Sequence, residues 1–84
     1  MEKVTIYTTH YCGYCRRAKA LLKEKGIQFA EIVVEDDDGK RDWLKKVTGQ
    51  STVPQIFIGE KSIGGYQELA HLDQAGKLMK MLEP

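Results

Sequence analysis

Cys12 and Cys15 are the only two cysteines in this chain, and they sit where a strand-like pattern gives way to a helix-like one. That position constrains both fold and chemistry. A structural disulfide gains most by closing a long loop, and this pair encloses only Gly13 and Tyr14. A structural zinc site takes four ligands. Here a second cysteine pair is missing, and His10 and His71 show no recognisable metal spacing. Redox chemistry is therefore the leading reading, ahead of a partial or intermolecular metal site and of two inert thiols.

The rest of the chain alternates around that junction. Residues 3–8 are β-branched and aromatic and read as a strand. A polar connection over 9–13 leads into a helix over 14–25, with Tyr14, Ala18, Leu21 and Leu22 on one face and Gly26 ending it. Residues 27–34 read as a second strand, strongest at Ile32, Val33 and Val34. Asp36, Asp37 or Asp38 caps a helix running to about Thr48, with Trp43, Leu44 and Val47 turned inward and Gly49 as its stop. A short strand over 55–58, a hairpin turn at Gly59-Glu60-Lys61 and an edge strand at Ser62-Ile63 follow. Gly64-Gly65 opens a helix over 66–75. Gly76 breaks it, and Leu78, Met79, Met81 and Leu82 mark a last short helix. The order is β-α-β-α-β-β-α-α, an α/β chain with a mixed four-stranded sheet flanked by helices. The first crossover should be right-handed and give parallel strands, and the hairpin should be antiparallel.

Composition removes whole classes of function. With 84 residues there is room for one domain, expected to span 1–84. Hydrophobic residues at 42% and charged residues at 30%, with both signs mixed, describe a globular chain rather than a disordered one. A net charge of +1 gives no strong pull toward nucleic acid or anionic lipid. No apolar run approaches the roughly 20 residues of a membrane span. Met1-Glu2-Lys3-Val4 leads straight into strand pattern, so no signal peptide is expected. The expectation is a cytoplasmic monomer with neither nucleic-acid nor membrane partners.

The junction itself suggests how the pair works. The first turn of a helix has unpaired N–H groups and a positive dipole end, both of which favour a thiolate. The thiolate is the form that attacks a disulfide. Cys12 is accordingly expected to be the nucleophile and Cys15, one turn inside, the resolving thiol. Arg16 and Arg17 add positive charge nearby, or simply form a solvated helix face. His10, two residues before Cys12, is read as a solvent-facing loop histidine, with stabilisation of the thiolate as the alternative. Trp43, Met79 and Met81 are read as packing residues, and His71 as a solvated helix residue.

Three blocks together resemble a dithiol glutaredoxin of the short bacterial type, on the thioredoxin fold. They are Ile6-Tyr7-Thr8 leading to Cys12-Gly13-Tyr14-Cys15, then Thr52-Val53-Pro54-Gln55-Ile56-Phe57-Ile58, then Ile63-Gly64-Gly65. The resemblance implies glutathione-dependent reduction of protein disulfides and glutathione mixed disulfides, with glutathione as electron donor and no permanently bound cofactor or metal. It implies a cis bond before Pro54 and a glutathione site built from Thr52, Val53 and Pro54. The Val53 backbone would pair with the bound peptide strand to strand. The γ-glutamyl carboxylate would meet the N–H groups of Tyr66 and Gln67, with Gly65 allowing close approach. Arg41 would take the glycyl carboxylate, and Tyr14 would wall the groove. Three positions differ from the family's usual pattern: Thr9 stands in place of a lysine, Gly13 in place of a proline, and Tyr66-Gln67-Glu68 in place of a Cys-or-Ser-then-acidic run. Two other functions remain in view. One is a redoxin drawing electrons from a thioredoxin-reductase-type flavoprotein. The other is a carrier of a [2Fe-2S] cluster held between two subunits by Cys12 and two glutathiones.

Overall fold

A computed structural model of the chain describes residues 2–83. Strand β1 (Val4–Thr8) is followed by helix α1 (Gly13–Glu24), strand β2 (Phe29–Val33), helix α2 (Asp38–Thr48), strands β3 (Gln55–Ile58) and β4 (Lys61–Gly64), and helices α3 (Tyr66–Gln74) and α4 (Leu78–Leu82). The strands form one sheet in the order β2-β1-β3-β4. β1 runs parallel to β2, with Ile6 beside Glu31. β1 runs antiparallel to β3, with Ile6 beside Ile56, and β3–β4 is an antiparallel hairpin. The element order and strand directions are those expected from the sequence.

The period of two along β1 and β3 distributes the core over both faces of the sheet. Val4, Ile6, Ile56 and Ile58 point to one face, where Ala18 and Leu22 of α1, Leu69 of α3, and Leu78 and Leu82 of α4 close over them. Phe57 points to the other face and packs with Val34 and Leu44, flanked by Tyr7, Ile32 and Val53. α1 therefore lies on one face and α2 on the other. The turn that carries the cysteines emerges at the C-terminal end of β1.

Three expectations are corrected. The second strand is shorter than 27–34. The Ile27 N–H donates to Leu22 O at 2.9 Å and the Gly26 N–H to Lys23 O at 3.0 Å, so Ile27 completes the end of α1 instead of joining the sheet. The inward stripe of α1 is Cys15, Ala18 and Leu22; Leu21 packs only partly, and Tyr14 is 53% exposed. On α2 only Leu44 is fully inward, and Trp43 and Val47 are 43% and 48% exposed. α2 buries Leu44 against Val34 and Phe57. Trp43, one residue round, instead lies flat against Phe57, ring centroids 6.0 Å apart, with its outer surface in water.

Candidate functional site

Cys12 is the N-cap of α1. Its backbone is extended (φ −134°, ψ 109°), and its sulfur accepts the Cys15 N–H at 3.1 Å. An N-cap side chain normally supplies an oxygen for this purpose; here a sulfur does so, at the positive end of the helix dipole. No acidic residue lies in the first turn to oppose it. On its other side the Cys12 thiol faces the Val53 carbonyl oxygen, 3.7 Å away, across 41 residues of sequence. The Val53–Pro54 peptide bond is cis. Cys12 is partly exposed, whereas Cys15 is 1% exposed.

Burial pushes the Cys15 thiol up to about 12, from an ordinary 9.0. Its hydrogen bond to Cys12 and the charge of that neighbour push the same way. These two further causes depend on a free Cys12 sulfur. The two sulfurs therefore sit in different surroundings: that of Cys12 is partly exposed at the helix start, and that of Cys15 is buried beneath it.

An open groove of about 250 Å³ leads away from Val53. It is lined by Tyr14, Gln50, Thr52, Val53, Pro54, Gly65, Tyr66, Gln67 and Glu68. Of the ten expected site residues, seven line this groove, and Cys12 stands at its end beside Val53. Cys15 lies beneath. Arg41 is not part of the groove wall. It borders a small neighbouring cavity that shares Gln50, Thr52 and Val53 with the groove, and its Nη2 donates to Ser51 O at 3.3 Å. Tyr14 and Tyr66 stack with centroids 6.0 Å apart, and the Arg17 guanidinium lies 5.5 Å from the Tyr14 ring centroid. His10 pairs with Glu35, with its ring Nδ1 2.9 Å from Glu35 Oε2 and its backbone N–H 3.1 Å from Oε1. These bonds from His10 hold the Glu35 carboxyl below its usual range.

At the far end Gly64 is favoured by conformation and contact, and Gly65 lies in a tight approach to the backbone. Gly64 has φ +103°, and a Cβ there would meet Glu68 Oε1 at 2.6 Å; a Cβ on Gly65 would stand 3.3 Å from Pro54 O. Glu68 reaches back to accept the Gly65 N–H at 2.7 Å. Sequence reasoning missed Glu68 and Gln50 as groove residues. A glutamate three residues after the helix-opening Gly65 is the half of a capping box that a glycine N-cap leaves, and it marks Glu68 as a residue of the helix start. No local signal marks Gln50, because its place in the groove comes from the fold of the loop before Thr52.

Gly13 occupies the first position of α1 without a positive φ, and a Cβ at this residue would have nothing within 4 Å. Proline suits that position, since its missing N–H has no intrahelical partner there, and the extended Cys12 is what a following proline prefers. Gly13→Pro is expected to stabilise the fold by about 0.4–1 kcal/mol, through reduced freedom of the unfolded chain. Thermal denaturation should show Tm rising by roughly 2–6 °C; a fall would show that the Gly13 N–H or its mobility supports the native turn.

Comparison with known proteins agrees with this geometry. The glutaredoxin family model matches residues 4–63. The chain is 48% identical over 82 residues to a glutaredoxin of Pseudomonas aeruginosa, covering 98% of each. It is 46% identical over 83 residues to glutaredoxin 3 of Escherichia coli strain K12, covering 99% of this chain and all of the relative. Among solved structures, the glutaredoxin of Brucella melitensis superposes with a TM-score of 0.89 at 43% identity, covering 99% of this chain and 90% of that one. A buckwheat glutaredoxin–glutathione complex superposes with a TM-score of 0.88 at 37% identity, covering 96% of this chain and 76% of that one.

Proposed function

Because the chain belongs to the glutaredoxin family and is a glutaredoxin-type thiol oxidoreductase, we propose that it reduces protein disulfides and glutathione mixed disulfides with glutathione as its electron donor. The Cys12 thiolate attacks one sulfur of the substrate disulfide; an S–S bond forms at Cys12 and the other substrate sulfur leaves as a thiol. With a protein disulfide, Cys15 then gives up its proton and attacks Cys12, releasing the second substrate thiol and leaving a Cys12–Cys15 disulfide. One glutathione opens that disulfide at Cys12, and a second removes the first as oxidised glutathione, returning two electrons and two protons to the pair. With a glutathione mixed disulfide the Cys12–glutathione adduct forms directly, and the second glutathione resolves it.

The observation that carries this reading is the groove joining the Val53 carbonyl, 3.7 Å from the Cys12 sulfur, to the start of α3. It offers an extended backbone beside Thr52–Val53 for a peptide to pair with and helix N–H groups at Tyr66 and Gln67 for a carboxylate. Glu68 adds a carboxylate for the α-amino group of a γ-glutamyl residue. The buckwheat relative bound to glutathione supports the same ligand. Residues 1–84 are read as one glutaredoxin domain acting as a monomer, in the cytoplasm, where reduced glutathione is held in supply. Among the described residues, no helix is long and apolar enough to cross a membrane.

The deciding experiment is turnover of a glutathione mixed disulfide with glutathione, glutathione reductase and NADPH, run beside the same assay with a thioredoxin reductase as donor. Turnover with the first donor set is expected; turnover only with the second would replace glutathione by a flavoprotein. Arg41→Ala is expected to weaken glutathione use by roughly 1–3 kcal/mol, the scale of a hydrogen bond to a charged group. The loss should appear in KM, because the guanidinium sits beside Ser51, away from the sulfur. An unchanged KM would remove Arg41 from the site.

A further inference from the structure

Gln55 is the first residue of β3 and follows Pro54 directly. Its side chain is 0% exposed. Its Nε2 donates to Thr52 O at 3.0 Å and to Gln50 Oε1 at 3.0 Å, with Thr52 Oγ1 at 3.4 Å. Its Oε1 is buried with no partner among the described residues. A side chain kept there only to fill space would carry no unpaired acceptor, because an apolar residue of like volume fills the space without that cost. The donors of Gln55 therefore account for its presence.

The hydrogen-bond logic then runs outward. Thr52 O can only accept, so the nitrogen of Gln55, not its oxygen, faces this cluster. That nitrogen in turn demands an acceptor from Gln50, so the oxygen of Gln50 is turned inward and its NH₂ is the end left for a ligand. The backbone of Gln50 is held as well. Its N–H donates to Thr48 Oγ1 at 3.1 Å, and that hydroxyl donates to Leu44 O at 2.7 Å on α2. Gln50 lines both the groove and the neighbouring cavity that Arg41 borders.

We propose that Gln50 is a further glutathione-binding residue, giving its NH₂ to the glycyl carboxylate alongside Arg41, and that buried Gln55 is the positioning residue that aims it. This rests on the glutathione reading above. Two neutral donors on one side chain, next to a guanidinium, suit a planar carboxylate better than an amide, which brings N–H groups of its own. Specificity for a free C-terminal carboxylate is thus built into the loop before Thr52.

The test compares glutathione with its C-terminal amide as electron donor, in the wild type, Gln50→Glu, Gln50→Ala, Gln55→Met and the Gln50→Ala/Gln55→Met double variant. Gln50→Glu is an exposed change of nearly equal size that sets a carboxylate against the ligand's carboxylate. It is expected to raise KM for glutathione about tenfold with little effect on kcat, and to change KM for the amide by less than about twofold. Gln55→Met should raise KM for glutathione by about three- to tenfold alone and add nothing in the Gln50→Ala background, since it acts through Gln50. If Gln55→Met does not fold, Gln50→Glu decides alone. A wild type that uses glutathione while KM ignores Gln50→Glu, or rises equally for both donors, overturns this inference and spares the functional reading. A wild type that does not use glutathione overturns both.

Discussion

Cys12→Ser is expected to bring disulfide reduction to background on every substrate, while Cys15→Ser loses only the reduction of protein disulfides. The asymmetry follows from the two environments. Serine is among the preferred N-cap residues, so the hydroxyl takes over the bond now made by the Cys15 N–H to sulfur, 3.1 Å long. α1 should keep its start, and the loss should be chemical rather than structural, which far-UV circular dichroism would verify. Cys15 is needed only where a tethered substrate thiol must be displaced from Cys12. On a glutathione mixed disulfide, a second glutathione does that work, so Cys15→Ser should keep turnover there. Both variants would be assayed on a glutathione mixed disulfide and on a protein disulfide. Turnover by Cys12→Ser, or loss of both reactions in Cys15→Ser, would reverse the assignment of roles.

Between pH 9 and about pH 12 the reduced protein should lose roughly 2–4 kcal/mol of stability that a Cys15→Ala variant does not lose. In the unfolded chain the Cys15 thiol ionises near its ordinary 9.0; in the fold, burial first and the Cys12 neighbour second keep the proton on until about 12. Within that window the unfolded state has released a proton that the folded state still binds, so rising pH favours unfolding. Below pH 9 both states hold the proton and the contribution is complete. All other ionisable groups are common to both proteins, so the difference between their urea-unfolding free energies reads the removal of Cys15. Parallel stability curves from pH 7 to 11, measured under reducing conditions, would mean that this thiol is not held neutral by the fold.

The same burial bears on mechanism. Under the proposed mechanism, a Cys15 thiol held protonated by burial would not compete with Cys12 for the incoming disulfide, which would order the two sulfurs without any moving part.

Much of this was legible in the chain. β-branched and aromatic content in Val4–Thr8, the apolar run Gln55–Ile58, glycine stops at Gly26, Gly49 and Gly76, and an aspartate cap among Asp36, Asp37 and Asp38, which the structure places at Asp37, gave element order and boundaries to within a few residues. These are local properties, set by backbone sterics and by the nearest few side chains. The role of Cys12 at a helix start belongs to the same class, since capping acts over three residues. What the tertiary structure alone decided is what depends on separated segments meeting. Trp43 and Val47 carry inward-facing character, yet only Leu44 of α2 is buried, in the cluster with Val34 and Phe57. Ile27 has strand character, yet the end of α1 takes its N–H. Cys15 is apolar-buried and pushed up to about 12 because α1 packs its inner face against the sheet, which spacing along the chain does not report. Gln50 and Glu68 enter the groove only because the loop before Thr52 and the start of α3 arrive at one place from different parts of the chain. Local sequence determines where the strands, helices and reactive sulfur begin and end; long-range packing determines what surrounds them, because desolvation and hydrogen-bond partnership are properties of neighbours in space.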